Sequence, residues 1–339
     1  MTVRAGLIGF GYWGPMFVRN FGEIDGVETA WVCDRDPDRR AAAAERYPDV
    51  PVYADLDEAL AAGADAAVVA TPPRTHEPIA RAVLEAGLHV LVEKPIAMTG
   101  DAALALGREA RQRNLTLMVG HILRYSPALQ TIKAMIEGGD LGDLYYLHST
   151  RVNLGRHHRD VNVMWDLGPH DLSAILPLVG GRPEAVSAWG RPFIQQGLED
   201  VVFMYLRFPG GQIAHVHLSW LDPLKVRQIV LVGSKRMLVY DDVNTTITLH
   251  DKSVDVIPHA ETLEEFHLAY RYGESHEVPV APAEPLAMEI THFLDCIRHG
   301  KEPVSGANEG FEVVRVLEAA QQSLVSGGAE VPIEWPTDR

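Results

Sequence analysis

The sequence predicts an α/β protein in two parts: a doubly wound parallel sheet, then an α+β domain with a large, open, mostly antiparallel sheet. Three observations lead there. Short apolar strands alternate with helical segments from residue 3 to about residue 122. Beyond that point strands follow one another across short turns. Between the first strand and the first helix sits a glycine-rich loop, Gly9-Phe10-Gly11-Tyr12-Trp13-Gly14.

Val3 to Ile8 is the first apolar run and Val27 to Cys33 the second. Pro37 to Tyr47, rich in Ala, Arg and Glu, predicts a helix. Ala66 to Ala70 (AAVVA) reads as a buried strand, His76 to Ala86 as a helix, and Leu88 to Val92 as a strand. Asp101 to Arg113 follows as a helix and Thr116 to Val119 as a strand. Such alternation predicts βαβ units and a parallel sheet, and right-handed crossovers place helices on both of its faces. Ala128 to Glu137 predicts one more helix, closed by GGDLGD. Strand character then runs through Leu144 to Val152, Ala185 to Arg191, Val201 to Phe208, Gln212 to Leu218, Val226 to Val232, Met237 to Tyr240 and Thr245 to His250. The Pro-Gly-Gly turn at 209–211 makes two of these a hairpin, hence the antiparallel expectation. A helix at about 168–179 interrupts the strands, and helices return at Ala283 to His299 and Asn308 to Ser326. The change of rhythm divides the chain into two domains, 1–122 and 123–339, and the C-terminal helices of the second are free to pack back on the first.

Composition narrows the function. A chain of 339 residues with 47% apolar content can bury a core in each half. A net charge of −16 lacks the basic footprint that phosphate backbones require, which argues against nucleic acid as a partner. Cys33 and Cys296 are the only cysteines and sit in no CxxC pair, so neither a disulfide framework nor a cysteine metal site is expected. No apolar run reaches the roughly 18–20 residues of a membrane span. The start, MTVRAGLIGFG, enters a strand without the apolar stretch of a signal peptide. A cytoplasmic protein is expected, with no membrane partner.

Gly9, Gly11 and Gly14 form GxGxxG directly after a strand and before a helix. In that context the first glycine allows the tight turn, the second lets backbone approach a pyrophosphate, and the third allows close helix–strand packing. The helix N-terminus then faces the anion. Asp34 ends the next strand, where a carboxylate accepts hydrogen bonds from ribose hydroxyls and repels a 2′-phosphate. This favours NAD over NADP. Arg35, with Arg39 and Arg40 behind it, is the contrary signal, because an Arg there can accept a 2′-phosphate.

Two later stretches point to a reaction. Glu93-Lys94-Pro95 stands at the carboxyl end of a parallel strand, the edge where ligands bind. A lysine there can hydrogen-bond a substrate hydroxyl and stabilise the developing alkoxide. Asp166 and His170 are spaced i, i+4 at the mouth of a predicted helix and so share one face. Hydride loss from a carbinol carbon must be matched by proton loss from its oxygen, and histidine is the natural base near neutral pH. His157, His158 and Asp160 are potential metal ligands, but adjacent histidines point apart and no cysteine is near, so no metal is expected.

Taken in order, GFGYWG, TPPRTH (71–76), EKP (93–95), DLGPH (166–170) and the ending 292–328 resemble the Gfo/Idh/MocA sugar and polyol dehydrogenases across nearly the whole chain. The resemblance implies a Rossmann domain plus an α/β domain whose open sheet forms homodimer or homotetramer contacts. It implies that Lys94, Asp166 and His170 are the catalytic trio. His170 would be the acid/base, Lys94 would polarise the hydroxyl, and Asp166 would position substrate or tune His170. Thr71, Pro72, His76 and Glu93 match positions that contact the cofactor, and Lys94–Pro95 matches a frequent cis peptide. Arg124, Tyr125, Asn153 and Arg156 fall where substrate-pocket residues lie. The arginines of 151–159 would suit a diphosphate handle, whereas the acidic chain would suit a cationic aminoglycoside. The expected activity is NAD-dependent oxidation of a ring secondary hydroxyl on a sugar, amino sugar, nucleotide sugar or cyclitol, with C3 oxidation ahead of transamination as one form. An NADPH-dependent keto-sugar reductase and a non-catalytic sugar or dinucleotide sensor are the alternatives.

Overall fold

A computed structural model of the protein describes residues 2–155, 157–256 and 268–336. These fall into two compact units, Met1–Tyr125 with Ala283–Arg315, and Ser126–Pro282 with Val316–Arg339. The segment from Ala283 to Arg315 thus belongs with the first unit, although it lies far beyond residue 122 in the chain.

In the first unit, strands β1 (Val3–Ile8), β2 (Val27–Cys33), β3 (Val52–Tyr53), β4 (Ala66–Val69), β5 (His89–Glu93) and β6 (Leu117–Gly120) pair in the order β3-β2-β1-β4-β5-β6, all in parallel. This is the dinucleotide-binding strand order, with the chain reversal beside β1. Ala66, Ala67, Val68 and Val69 are all buried, as expected of a parallel strand covered on both faces. Helices α1 (Gly14–Glu23), α2 (Pro37–Arg46), α3 (Leu56–Ala61), α4 (His76–Glu85) and α5 (Gly100–Gln112) are the connections. Asp36, Asp55 and Thr99 cap α2, α3 and α5 through side-chain oxygens, which supplies acceptors for orphan first-turn amides.

The second unit opens with α6 (Pro127–Glu137) and β7 (Leu144–Leu154), then α7 (Val163–Val179). Strands β8 (Ala185–Arg191), β9 (Val201–Arg207), β10 (Ile213–Ser219), β11 (Leu221–Gly233), β12 (Met237–Asp241), β13 (Thr246–Val256) and β14 (Leu268–Val278) follow. After α8 (Pro285–His299) and α9 (Ala307–Val325), β15 (Val331–Pro332) completes a nine-stranded sheet, β14-β13-β12-β11-β7-β10-β9-β8-β15. Its pairs are antiparallel apart from β10 on β7. Alternation along β10 buries Ala214, Val216 and Leu218 under α7 and turns His215 and His217 outward, where Phe203 stacks on His217 and Tyr205 lies tilted against His215.

Several elements differ from expectation: β3 and β15, two residues each, and α3, six residues, are too short to show a period and were not foreseen. The helix predicted at about 168–179 starts five residues earlier, because Asn162 caps it and accepts the Trp165 amide at 3.1 Å. Pro169 and Pro177 lie inside it without ending it. Strand β14 was not foreseen, because nearly every residue in it is exposed. As an edge strand paired to β13 alone it needs no apolar pattern.

Candidate active site

In the first unit the glycine loop is built for a closely approaching anion. Gly9 has φ +97°, and a Cβ there would stand 2.5 Å from the Ala70 carbonyl oxygen. A Cβ on Gly14 would come within 2.7 Å of the Gly9 carbonyl oxygen, so α1 can begin this close to the loop only on glycine. The first turn of α1 holds no acidic side chain, leaving the positive end of its dipole uncompensated. Asp34 is buried at the end of β2. Its Oδ2 accepts the Phe10 amide at 2.7 Å and its Oδ1 accepts the Asp36 amide at 2.9 Å, so the carboxylate is held at the loop before any ligand arrives. Arg40 is spent on the Asp34 and Arg35 carbonyls, and Arg39 lies 3.7 Å from the Asp34 carboxylate. Arg35 and Tyr12 are exposed, and Trp13 is half-buried. The donors and the open glycine cradle fit a dinucleotide with free ribose hydroxyls.

Beside this loop, residues after β4 and β5 are joined by His76. The ring is 1% exposed; Nδ1 lies 2.7 Å from the Pro95 carbonyl oxygen and Nε2 lies 2.7 Å from that of Thr71. His76 therefore ties the Thr71-Pro72 loop to the turn after Lys94, whose peptide with Pro95 is cis. Its nitrogens are committed to backbone. Thr71 Oγ1 accepts from the Thr75 hydroxyl at 2.8 Å, and Pro72 is exposed. Lys94 is half-buried.

Glu93, next to that lysine, is buried, and a Cβ on Gly120 of the adjacent β6 would meet its carboxyl carbon at 3.2 Å. Burial pushes the Glu93 carboxyl up to about 7, against the opposing pull of the Lys94 charge and amide. Glu289 on α8 is 1% exposed, and neither of its carboxyl oxygens has a hydrogen-bond partner among the described residues. Burial, then the charge of Glu93, raises it well above the carboxylate range. His121, just after β6, is pushed down to about 3 by burial, with Arg124 and Lys94 adding to the effect, so it is neutral at physiological pH. Tyr125 is buried with its hydroxyl 2.8 Å from Ser305 Oγ, and Arg124 donates to the Val304 carbonyl at 3.1 Å. The two pocket candidates thus brace the 303–306 segment, and Tyr125 is packed as core.

In the second unit, Asp166 and His170 lie one turn apart in the first half of α7, on a shared face. Asn162, the cap, donates to Glu199 Oε2 at 2.7 Å, which fixes the start of the helix. Asp171 fixes its register: buried, it accepts Arg151 Nε at 2.7 Å and the Ser149 hydroxyl from β7. Arg151 also lies 3.5 Å from Asp242. Arg151 is 4% exposed and fully engaged, so it cannot be part of a diphosphate handle. Asn153 is half-buried near the end of β7. Arg156 lies outside the described residues. His157 and His158 hold no metal-binding cluster among the described residues; their rings instead lie over Trp220, with centroids 5.2 and 5.8 Å away. Trp220 donates its indole N–H to Asp166 Oδ2 at 3.1 Å.

Sequence reasoning missed Trp220, His121 and Glu289. A glutamate on the same helical face as Leu286, Ile290 and Phe293 was a legible signal, since an acid at a core position is rare without a role. Trp220 carried no comparable mark beyond closing the IAHVHLSW alternation.

Residues 3–121 match the oxidoreductase family with an NAD-binding Rossmann fold, and residues 129–239 match the Gfo/Idh/MocA C-terminal domain. The chain is 28% identical over 330 residues to a UDP-N-acetylglucosamine 3-dehydrogenase of Acidithiobacillus ferrooxidans, covering 96% of this chain and 97% of that one. The solved structure of that enzyme superposes with a TM-score of 0.82 at 26% identity, over 96% of this chain and 99% of its own. A scyllo-inositol 2-dehydrogenase (NAD(+)) of Bacillus subtilis is 26% identical over 328 residues, 89% of this chain and 88% of that one. With both domains matched in order and the glycine loop, EKP turn and DLGPH helix in place, the chain belongs to the Gfo/Idh/MocA family of NAD-binding oxidoreductases.

Proposed function

We propose that the protein is an NAD-dependent dehydrogenase that oxidises a ring secondary hydroxyl of a sugar, amino sugar, nucleotide sugar or cyclitol to a ketone. The observation that carries the reading is the Asp166–His170 pair on one face of α7, in a chain whose first unit carries the Gly9–Gly14 loop with its Asp34 carboxylate. When bound, NAD supplies the hydride acceptor. His170 takes the hydroxyl proton as the carbinol C–H bond breaks. Lys94 donates to the same oxygen and stabilises its developing charge. Asp166 orients the substrate or the imidazole. Gly9, Phe10, Gly11, Trp13, Gly14 and Asp34 hold the dinucleotide, and the ribose hydroxyls donate to Asp34.

Oxidation at C3, giving a keto sugar for transamination, is supported by the similarity to an enzyme of that name. We place the enzyme in the cytoplasm, a setting suited to its two buried free cysteines. We also propose assembly through the outer face of the large sheet, where Trp189 and Tyr205 are each more than half exposed.

The test is NAD reduction followed at the nicotinamide absorbance with UDP-sugars, aminoglycosides and inositols. A turnover-competent substrate and a His170→Ala variant at least 100-fold slower are expected. A His170→Ala enzyme as fast as the parent would overturn the assignment of the base.

A further inference from the structure

Trp220 stands at the junction of β10 and β11, 2% exposed, and four contacts converge on it. Its indole N–H donates to Asp166 Oδ2 at 3.1 Å. Its backbone carbonyl accepts the Gly155 amide at 3.0 Å. The chain at Gly155 passes so close that an added Cβ would lie 2.9 Å from the indole Cδ1. The rings of His157 and His158 pack over the same indole.

Both histidines lie beside carboxylates. His157 Nε2 is 3.0 Å from Asp200 Oδ1. Asp200 is fully buried, and its other oxygen accepts the Phe193 and Ile194 amides. His158 Nε2 lies 3.7 Å from Asp166 Oδ2, the oxygen that also accepts the indole N–H. Two groups thus converge on one oxygen of Asp166, and the ring that supplies the first also seats the second. An aspartate side chain turns easily about its last torsion, which is broad and roughly two-fold. A buried donor on one oxygen removes that freedom.

We propose that Trp220 is a positioning residue for the dehydrogenation, orienting the Asp166 carboxylate through its indole N–H while its ring seats Gly155, His157 and His158 beside it. This rests on the catalytic reading of Asp166 given above. Trp220 touches no reacting atom in this scheme, and its whole effect runs through Asp166.

The test is a thermodynamic cycle of Trp220→Phe, Asp166→Asn and the double variant, assayed for kcat and KM on the preferred sugar. Removing a hydrogen bond to a charged acceptor lowers kcat/KM by roughly 10- to 100-fold. In the Asp166→Asn background the same change should cost less than about twofold, because the effect runs through the carboxylate. NAD affinity, followed by quenching of the remaining tryptophans, should be unchanged in Trp220→Phe. If that variant does not fold, β-(3-benzothienyl)alanine at position 220 keeps the ring volume and deletes only the N–H. A Trp220→Phe or benzothienyl enzyme within twofold of the parent overturns the proposal. So do losses that multiply in the double variant. His170→Ala and Asp166→Asn enzymes that keep full activity would instead overturn the catalytic reading, so the two failures are separable.

Discussion

Replacing Glu93 by glutamine should stabilise the protein at alkaline pH and leave it unchanged in acid. The carboxyl is buried at the end of β5 and pushed up from the ordinary 4.5 to about 7, chiefly by burial. Between those two values the unfolded chain has released a proton that the folded chain still holds. Stability therefore falls as pH rises through that window, and the full cost is present above about pH 7. A displacement of about 2.5 units at 1.36 kcal/mol each amounts to roughly 3 kcal/mol. Glutamine keeps the shape and removes the charge. The difference in unfolding free energy between variant and parent should be near zero at pH 4.5 and about 3 kcal/mol in favour of the variant at pH 8. With roughly 2–4 °C per kcal/mol for a unit of this size, the melting temperature should rise by several degrees at pH 8. The assay is urea unfolding of both proteins, followed by tryptophan fluorescence, at a series of pH values. A stability difference independent of pH, or a variant less stable at pH 8, would refute the reasoning. Turnover should fall, because a buried acid that costs stability next to Lys94 marks a site where function outweighs stability.

Three other outcomes follow from single contacts. Asp34→Ala removes the acceptor of the Phe10 amide and the partner of Arg39. The ratio of NAD to NADP affinity by calorimetry should shrink at least tenfold, and an unchanged ratio would remove Asp34 from cofactor selection. Arg151→Met leaves the buried Asp171 carboxylate without its cation and with the Ser149 hydroxyl as its remaining side-chain donor, so unfolding free energy should drop by about 3–5 kcal/mol in denaturant titration. Gly9→Ala places a Cβ against the Ala70 carbonyl at positive φ. NAD binding should weaken at least tenfold by fluorescence titration, with the helical circular dichroism signal retained.

Much of this molecule was legible in its residues because the relevant physics is local. Period and turn chemistry placed five of the six parallel strands (β3 was missed), the glycine loop and the alternating β10 within a residue or two. The i, i+4 spacing of Asp166 and His170 put them on one helical face without any tertiary knowledge. The antiparallel expectation held for every pair of the large sheet but one, β7 with β10, which the chain brings together only after α7 and two further strands.

Folding decided what depends on residues far apart in sequence. Arg151, Tyr125 and His76 look from the chain like polar groups available to a ligand. Packing commits them instead to Asp171, Ser305 and two backbone carbonyls, because a buried polar group is costly unless it is paired. Glu289 and Glu93, 196 positions apart, share one interior where burial raises both, and at Glu93 the Lys94 charge opposes it only in part. Trp220 acquires its place only when β10 delivers it to Asp166, 54 residues away. The sequence by itself determined which chemistry the chain can carry, since residue type and short spacing suffice for that. Which groups remain available for the chemistry, and at what protonation, was decided by tertiary structure, because burial and long-range pairing set both.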